Sequence, residues 1–258
     1  VSLLRLIARL DIKGPNVIKG IQYEGLRIVG DPAMLATKYA TEGADELIYV
    51  DTVASLYGRN ALDGLITRTV DKVFIPVTVA GGVRSLNDVK RLLGAGADKV
   101  AINTAAIRNP ALIDQCAASV GCQGIVVSIE AKTTAPGRWE CYTDNGRERS
   151  GKDAVAWANE AVQRGAGEIL LTSIDRDGTC RGFDIQLCAA IAPYVTVPVI
   201  ASGGMGGLLH LQRVLNEGHA DAIATASWLH GGGDLNRLRA ALRLPNAPVV
   251  SESTQSIR

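Results

Sequence analysis

The chain has little of what several protein classes depend on. It holds five cysteines (116, 122, 141, 180 and 188), an odd number with no CxxC pair. That excludes a disulfide framework and the common zinc ligand spacings, so reduced, scattered thiols are expected. Its three histidines, His210, His219 and His230, stand far from any acidic cluster, and neither a metal nor an organic cofactor is expected. Long hydrophobic runs are missing too: no segment approaches the roughly 18–20 residues needed to span a bilayer. There is no basic run, and the net charge is +1, which argues against nucleic acid or a membrane surface as partner. The opening VSLLRLIARLDIKG carries arginines and an aspartate where a signal peptide needs a clean apolar stretch. A cytoplasmic location is the expectation.

What is present is a core-forming chain of 258 residues, 47% hydrophobic, built from short apolar runs that alternate with helix-length segments. The predicted strands are RLIARL (5–10), ELIYV (46–50), PVTVA (76–80), KVAIN (99–103), GIVVSI (124–129), EILLTS (168–173), PVIAS (198–202) and DAIATA (221–226). Asp31-Pro32 and Asn109-Pro110 offer an N-cap followed by proline, and Ser85 with Asp88 suggests a capping box. Eight βα units in about 250 residues suit one α/β (β/α)₈ TIM barrel over residues 1–243. Residues 244–258, without periodicity, are expected to form a loose tail.

The chain also repeats itself. IPVTVAGG (75–82) matches VPVIASGG (197–204) at an offset of 122, and EGADELIYV (42–50) matches RGAGEILLT (164–172) at 122. GADKVAIN (96–103) matches HADAIATA (219–226) at 123, and RLDIK (9–13) matches SIEAK (128–132) at 119. Two fused half-barrels follow. The repeat sets Asp11 and Glu130 opposite each other at the C-terminal mouth, where barrels place their chemistry. Facing carboxylates suit general acid–base catalysis; the bland alternative pairs each with its own lysine, Lys13 or Lys132. The glycine pairs Gly81-Gly82 and Gly203-Gly204 duplicate as well, with Asn103-Thr104 and Ala226-Ser227 beside them. They suggest a substrate with two phosphates held across the mouth. At the other end Arg5, Glu46, Lys99 and Glu168 begin their strands, forming either a salt-bridged plug or a gate for a small polar molecule.

RLDIK, VIKG, GDP, GADEL, GADKVAINTAA, GAGEILLTSIDRDGT and IASGG together resemble the cyclase subunits of imidazole glycerol phosphate synthase, over essentially residues 4–243. The resemblance implies a barrel that takes ammonia from a glutaminase partner docked at its bottom. It also implies that this ammonia combines with a bisphosphorylated ribulosyl-formimino nucleotide, giving imidazole glycerol phosphate and aminoimidazole carboxamide ribotide. The family's acid and base are two aspartates, matching Asp11 and, imperfectly, Glu130. Phosphate contacts carry over to Gly82, Asn103, Thr104, Asp177, Gly178, Gly204 and Ser227, while Lys19 closes over the substrate. Arg5, Glu46, Lys99 and Glu168 match the ammonia gate, and Asp98 lies where the glutaminase docks. Phosphoribosyl isomerases share the half-barrel repeat and a DGT motif, but NTAA and the four charges favour the cyclase type.

Three departures stand out. Glu130 reaches one methylene further than an aspartate, Ala80 replaces the first glycine of the usual triple, and ASLYGRN (54–60) and TTAPGRWECYTDNGRERSG (133–151) carry unusual detail. In these segments Tyr57, Arg59, Trp139, Tyr142, Asn145 and Arg147 suit the barrel mouth, or else decorate a surface hairpin with a DNG turn. IEAK with YTDNGRE is similar to cyclase paralogues found with sugar amidotransferases of lipopolysaccharide synthesis, which implies a second option: ammonia relay to such an enzyme without histidine-pathway turnover. A phosphate-binding barrel with no chemistry of its own is the third.

Overall fold

The structure, a computed structural model, describes residues 4–53 and 62–242. Eight strands close a parallel ring in the order β1 (Arg5–Lys13), β4 (Glu46–Asp51), β5 (Val77–Ala80), β6 (Lys99–Ile102), β7 (Ile125–Ala135), β10 (Glu168–Ser173), β11 (Val199–Ser202) and β12 (Ala222–Thr225). Every predicted strand is present. Helices α1 (Pro32–Thr41), α2 (Asp63–Val70), α3 (Leu86–Gly94), α4 (Thr104–Arg108), α5 (Ala111–Val120), α6 (Ala154–Gln163), α7 (Ile185–Ile191), α8 (Leu208–Asn216), α9 (Ser227–His230) and α10 (Leu235–Leu242) follow the strands. Among the described residues no helix is long and apolar enough to cross a membrane. The five cysteines are free.

Strand alternation divides the apolar residues into two cores. Leu6, Leu10, Leu47, Tyr49, Val127 and Ile169 point outward into the large layer beneath the helices. Ile7, Ile48, Val50, Val126, Leu170 and Ile200 point inward and fill the lumen with Ala80, Ala101, Ala222 and Ala224. Each buried aliphatic side chain stabilises the fold by about 1.5–3 kcal/mol, and the barrel is a packed core rather than a pore.

Local signals hold with one correction. Asp31 accepts from the Met34 N–H ahead of Pro32, and Ser85 with Asp88 forms the reciprocal capping box. Asn109, in contrast, makes no side-chain cap on α5; Pro110 occupies the cap position and the Asn109 carbonyl accepts from Leu112 N. The segment 133–151 is more than a surface hairpin. Strands β8 (Arg138–Thr143) and β9 (Glu148–Asp153) extend β7 as an antiparallel arm. The first half-barrel carries a matching arm, β2 (Asn16–Ile21) and β3 (Glu24–Gly30), extending β1. Thus neither Asp11 nor Glu130 ends its strand; both strands continue past the mouth into these arms. Tyr57, Arg59 and the tail 244–258 lie outside the described residues.

Candidate active site

Asp11 and Glu130 are both buried at the mouth, 4% and 6% exposed, with opposite surroundings. Asp11 accepts from Arg9 Nε at 2.8 Å and from Lys19 Nζ at 2.9 Å. Burial alone would raise its carboxyl, but the charges and hydrogen bonds of Arg9 and Lys19 outweigh that and hold it well below the usual carboxylate range. Among the described residues no cation is bonded to Glu130. Burial pushes it up to about 7, against the more distant charge of Arg9 and a bond from the Gly146 N–H, while Asp11 and Asp177 add to the rise. Its Oε2 has no hydrogen-bond partner among the described residues. Near neutral pH the mouth therefore holds one carboxylate and one carboxyl poised to give or take a proton, the pattern expected of an acid–base pair.

The lysine pairing suggested for the two motifs does not occur. Lys13 is exposed, and Lys132 sits with Nζ 5.9 Å from the Tyr142 ring centre. Lys19, with Arg9, takes that place at Asp11. It reaches back from β2 to bond Asp11 and also Asp177, at 2.8 Å, with its side chain only 9% exposed. The arm that carries it is folded down over the mouth: Gln22 N donates to Asp177 O at 2.8 Å, and the Tyr23 hydroxyl is buried without a partner among the described residues.

The duplicated glycines sit in duplicated backbone. Gly81 has φ 96° and Gly203 has φ 90°. A Cβ at Gly81 would overlap the Asp51 carbonyl and one at Gly203 would press on the Ser173 carbonyl, the equivalent residue of the other half. Only glycine suits both demands. The two halves nevertheless differ in access. Gly82, Asn103 and Thr104 line a cavity of about 320 Å³ together with Ser128, Glu130, Arg84, Arg108 and Asn145. Asp177, Gly178, Gly204 and Ser227 line a pocket of only about 10 Å³, with Arg9 as its floor. Asn103 donates to Tyr142 O at 3.1 Å and Thr104 Oγ1 accepts from Asp144 N at 3.0 Å, which moors the β8–β9 turn over the larger cavity. Of the other residues expected there, Trp139 is instead buried with its Nε1 donating to Asp184 at 3.2 Å, and Arg147 is exposed.

At the opposite end Arg5, Glu46, Lys99 and Glu168 form a closed ring of alternating charge. Arg5 bonds Glu46 at 2.8 Å and Glu168 at 2.7 Å, and Lys99 bonds the same two at 3.2 Å and 3.0 Å. Asp98 is exposed beside this ring, but its carboxylate also has an internal task. Oδ2 accepts from Val77 N at 2.7 Å, as Asp45 does from Leu6 N at 2.7 Å and Asp221 from Val199 N at 2.8 Å. Asp98 thus satisfies a backbone donor at the start of the neighbouring strand, a reason for its residue type that the sequence reading missed.

Arg9 and Tyr23 are further residues of the mouth that the sequence reading missed. Arg9 is hidden in an apolar run, although its i, i+2 spacing from Asp11 already puts both side chains on one face of the strand. Tyr23 gives no signal, because its place at the mouth depends on how the arm folds back.

Fold and mouth together define a (β/α)₈ barrel of two half-barrels with two buried carboxyl groups, Asp11 and Glu130, at its C-terminal face. A family model described as "Histidine biosynthesis protein" matches residues 5–234. The chain is 60% identical to the imidazole glycerol phosphate synthase subunit HisF of Legionella pneumophila, covering 81% of this chain and 98% of that one. It is 54% identical to the subunit of the same name from Myxococcus xanthus (strain DK1622), covering 88% of this chain and 90% of that one. The chain belongs to the histidine biosynthesis protein family, among the HisF subunits of imidazole glycerol phosphate synthase.

Proposed function

We propose that the chain is an ammonia-using cyclase of the imidazole glycerol phosphate synthase type, with Asp11 as base and Glu130 as acid. It converts the bisphosphorylated ribulosyl-formimino nucleotide to imidazole glycerol phosphate and aminoimidazole carboxamide ribotide. One observation carries the residue roles: two buried carboxyl groups share one mouth, Asp11 bonded by Arg9 and Lys19 and held low, Glu130 pushed up by burial to about 7. Asp11 accepts a proton as ammonia adds to the substrate, and Glu130 returns one to the departing group. One phosphate sits at Gly82, Asn103 and Thr104. The other takes Asp177, Gly178, Gly204 and Ser227, a site that opens when the arm carrying Lys19 lifts. Purified protein given the nucleotide and ammonium salt should turn over, followed as loss of substrate absorbance; binding without turnover sinks this reading.

Ammonia comes from a glutaminase subunit seated on the face that holds Asp98, and enters through the ring of Arg5, Glu46, Lys99 and Glu168. All four ring bonds are closed in this structure, so passage requires one to open. Lys99→Ala should change glutamine-driven turnover several-fold more than turnover with ammonium salt. Loss of stability from glutamates left with Arg5 alone affects both rates alike, so an unchanged ratio would leave the ring a structural plug. The second reading, relay of ammonia to a sugar amidotransferase, is favoured by Glu130 standing where the family's second acid is an aspartate. It predicts that the nucleotide is not consumed.

A further inference from the structure

Arg9 is a charged side chain in the interior of the barrel, 3% exposed, two residues below Asp11 on β1. Its Nε donates to Asp11 at 2.8 Å. Its Nη1 crosses to the far wall and donates to Thr172 Oγ1 on β10 at 3.1 Å and Ser202 Oγ on β11 at 3.2 Å. Burying an arginine this way is costly unless the charge is used. The half-barrel repeat shows where it is not used. Offset by 119 residues, Arg9 corresponds to Ser128; offset by 122, Thr172 and Ser202 correspond to Val50 and Ala80. The cation and both its anchors are present on one side of the lumen and replaced by a short hydroxyl and two apolar residues on the other. The two residues fall in different cavities as well, Arg9 lining the small one and Ser128 the large one.

We propose that Arg9 is a positioning residue that decides which of the two carboxylates is the base, by clamping Asp11 from inside the barrel with a guanidinium anchored on Thr172 and Ser202. The proposal deepens the cyclase reading and rests on it for the base's role. A fork held at three points fixes the carboxylate's orientation as well as its charge. The other charged or titratable groups around Asp11 are Lys19 from β2, Tyr23 from the turn that follows, Glu130 from β7, Asp177 from the loop after β10 and His230 from α9. Lys19 rides on an arm that must lift for substrate, so of the two cations bonded to Asp11 only Arg9 remains in place through a reaction cycle.

The test pairs a direct titration with kinetics. Carbon-13 NMR of the Asp11 carboxyl, and the pH profile of kcat/KM with ammonium salt, are compared in the wild type, Arg9→Met and Arg9→Lys. Arg9→Met fills the space without the charge; Arg9→Gln, which keeps hydrogen bonding to Thr172 and Ser202, replaces it should it not fold. The uncharged variant should raise the pH at which Asp11 half-titrates by about one unit or more, a tenfold fall in the proton concentration at its midpoint, and move the acid limb of the profile with it. Arg9→Lys should restore most of the shift. An Asp11 titration and acid limb that stay in place in the uncharged variant, or a lysine variant no better than it, overturn the proposal and leave Arg9 as filler. A wild type without turnover overturns the cyclase reading instead, and the titration still judges Arg9.

Discussion

Asp11→Asn should reduce ammonium-driven turnover by about a thousandfold, the middle of the range for removing a general base. The amide keeps the shape of the carboxylate and can still accept from Arg9 or Lys19, but it cannot take the proton that the nitrogen releases once it has added to the substrate. The two buried cations would then keep only one bonded anion between them, Asp177, and that on Lys19. Stability should therefore fall too, by roughly 3–5 kcal/mol, the usual result of removing one partner from a buried ion pair. The sign of the pH dependence separates this from general damage. The folded Asp11 titrates below its unfolded value, so its contribution is present above about pH 4 and is lost as pH falls through the folded value. The wild type should lose its advantage over Asp11→Asn as denaturation is measured at progressively lower pH. A turnover loss under tenfold in folded protein would remove Asp11 from the role of base, and a stability difference that stays constant down to about pH 3 would mean that its carboxyl is not held low.

Sequence periodicity makes the barrel and its duplication legible because both are written in strand alternation and in repeated short motifs. All eight strands lie within a few residues of their expected places. The ring of Arg5, Glu46, Lys99 and Glu168 is legible too, since each stands at the first position of its strand. What the sequence conceals is the partnership of each charge. Proximity along the chain suggests Lys13 for Asp11, yet Lys13 faces solvent and the bonds come from Arg9 below and Lys19 above. The β2–β3 arm decides this, and its fold-back is a long-range event that no local pattern encodes. The same holds for the β8–β9 arm. Its DNG turn is recognisable, with Asp144 and Asn145 at positive φ, but nothing local says that Gly146 then donates to Glu130. The difference between the two phosphate nests is hidden for another reason. Their glycines match; residues that differ between the two linings, Ser128 and Arg9, lie inside the strands, where a charge hidden in an apolar run is easily passed over.

Glu130→Gln should separate function from stability most sharply. Turnover should drop by about a hundredfold or more, because an amide cannot deliver the proton that a carboxyl with a value near 7 can. Stability at pH 8 should rise, by about 1–3 kcal/mol. Folding lifts the Glu130 carboxyl from its ordinary range to about 7, so the folded state binds the extra proton between about pH 4.5 and 7. Stability is lost as pH rises through that window and stays low above it, and each pH unit of the window costs about 1.4 kcal/mol. Glutamine carries no charge to bury, retains an acceptor for the Gly146 N–H, and escapes that penalty; part of the gain is offset by its own unpaired N–H groups. Urea denaturation at pH 5 and pH 8 gives the answer: the two proteins should be nearly matched at pH 5 and the variant ahead at pH 8. A gap that is the same at both values would mean that Glu130 does not titrate near neutrality. Glu130→Asp completes the comparison. Shortening by one methylene withdraws the carboxyl from Gly146 by roughly 1.5 Å, a displacement that costs on the order of a hundredfold in rate when it misplaces a reacting group. If the aspartate variant instead keeps full turnover, the extra reach of Glu130 is not what this site is built around, and the β8–β9 turn must follow the shorter side chain inward.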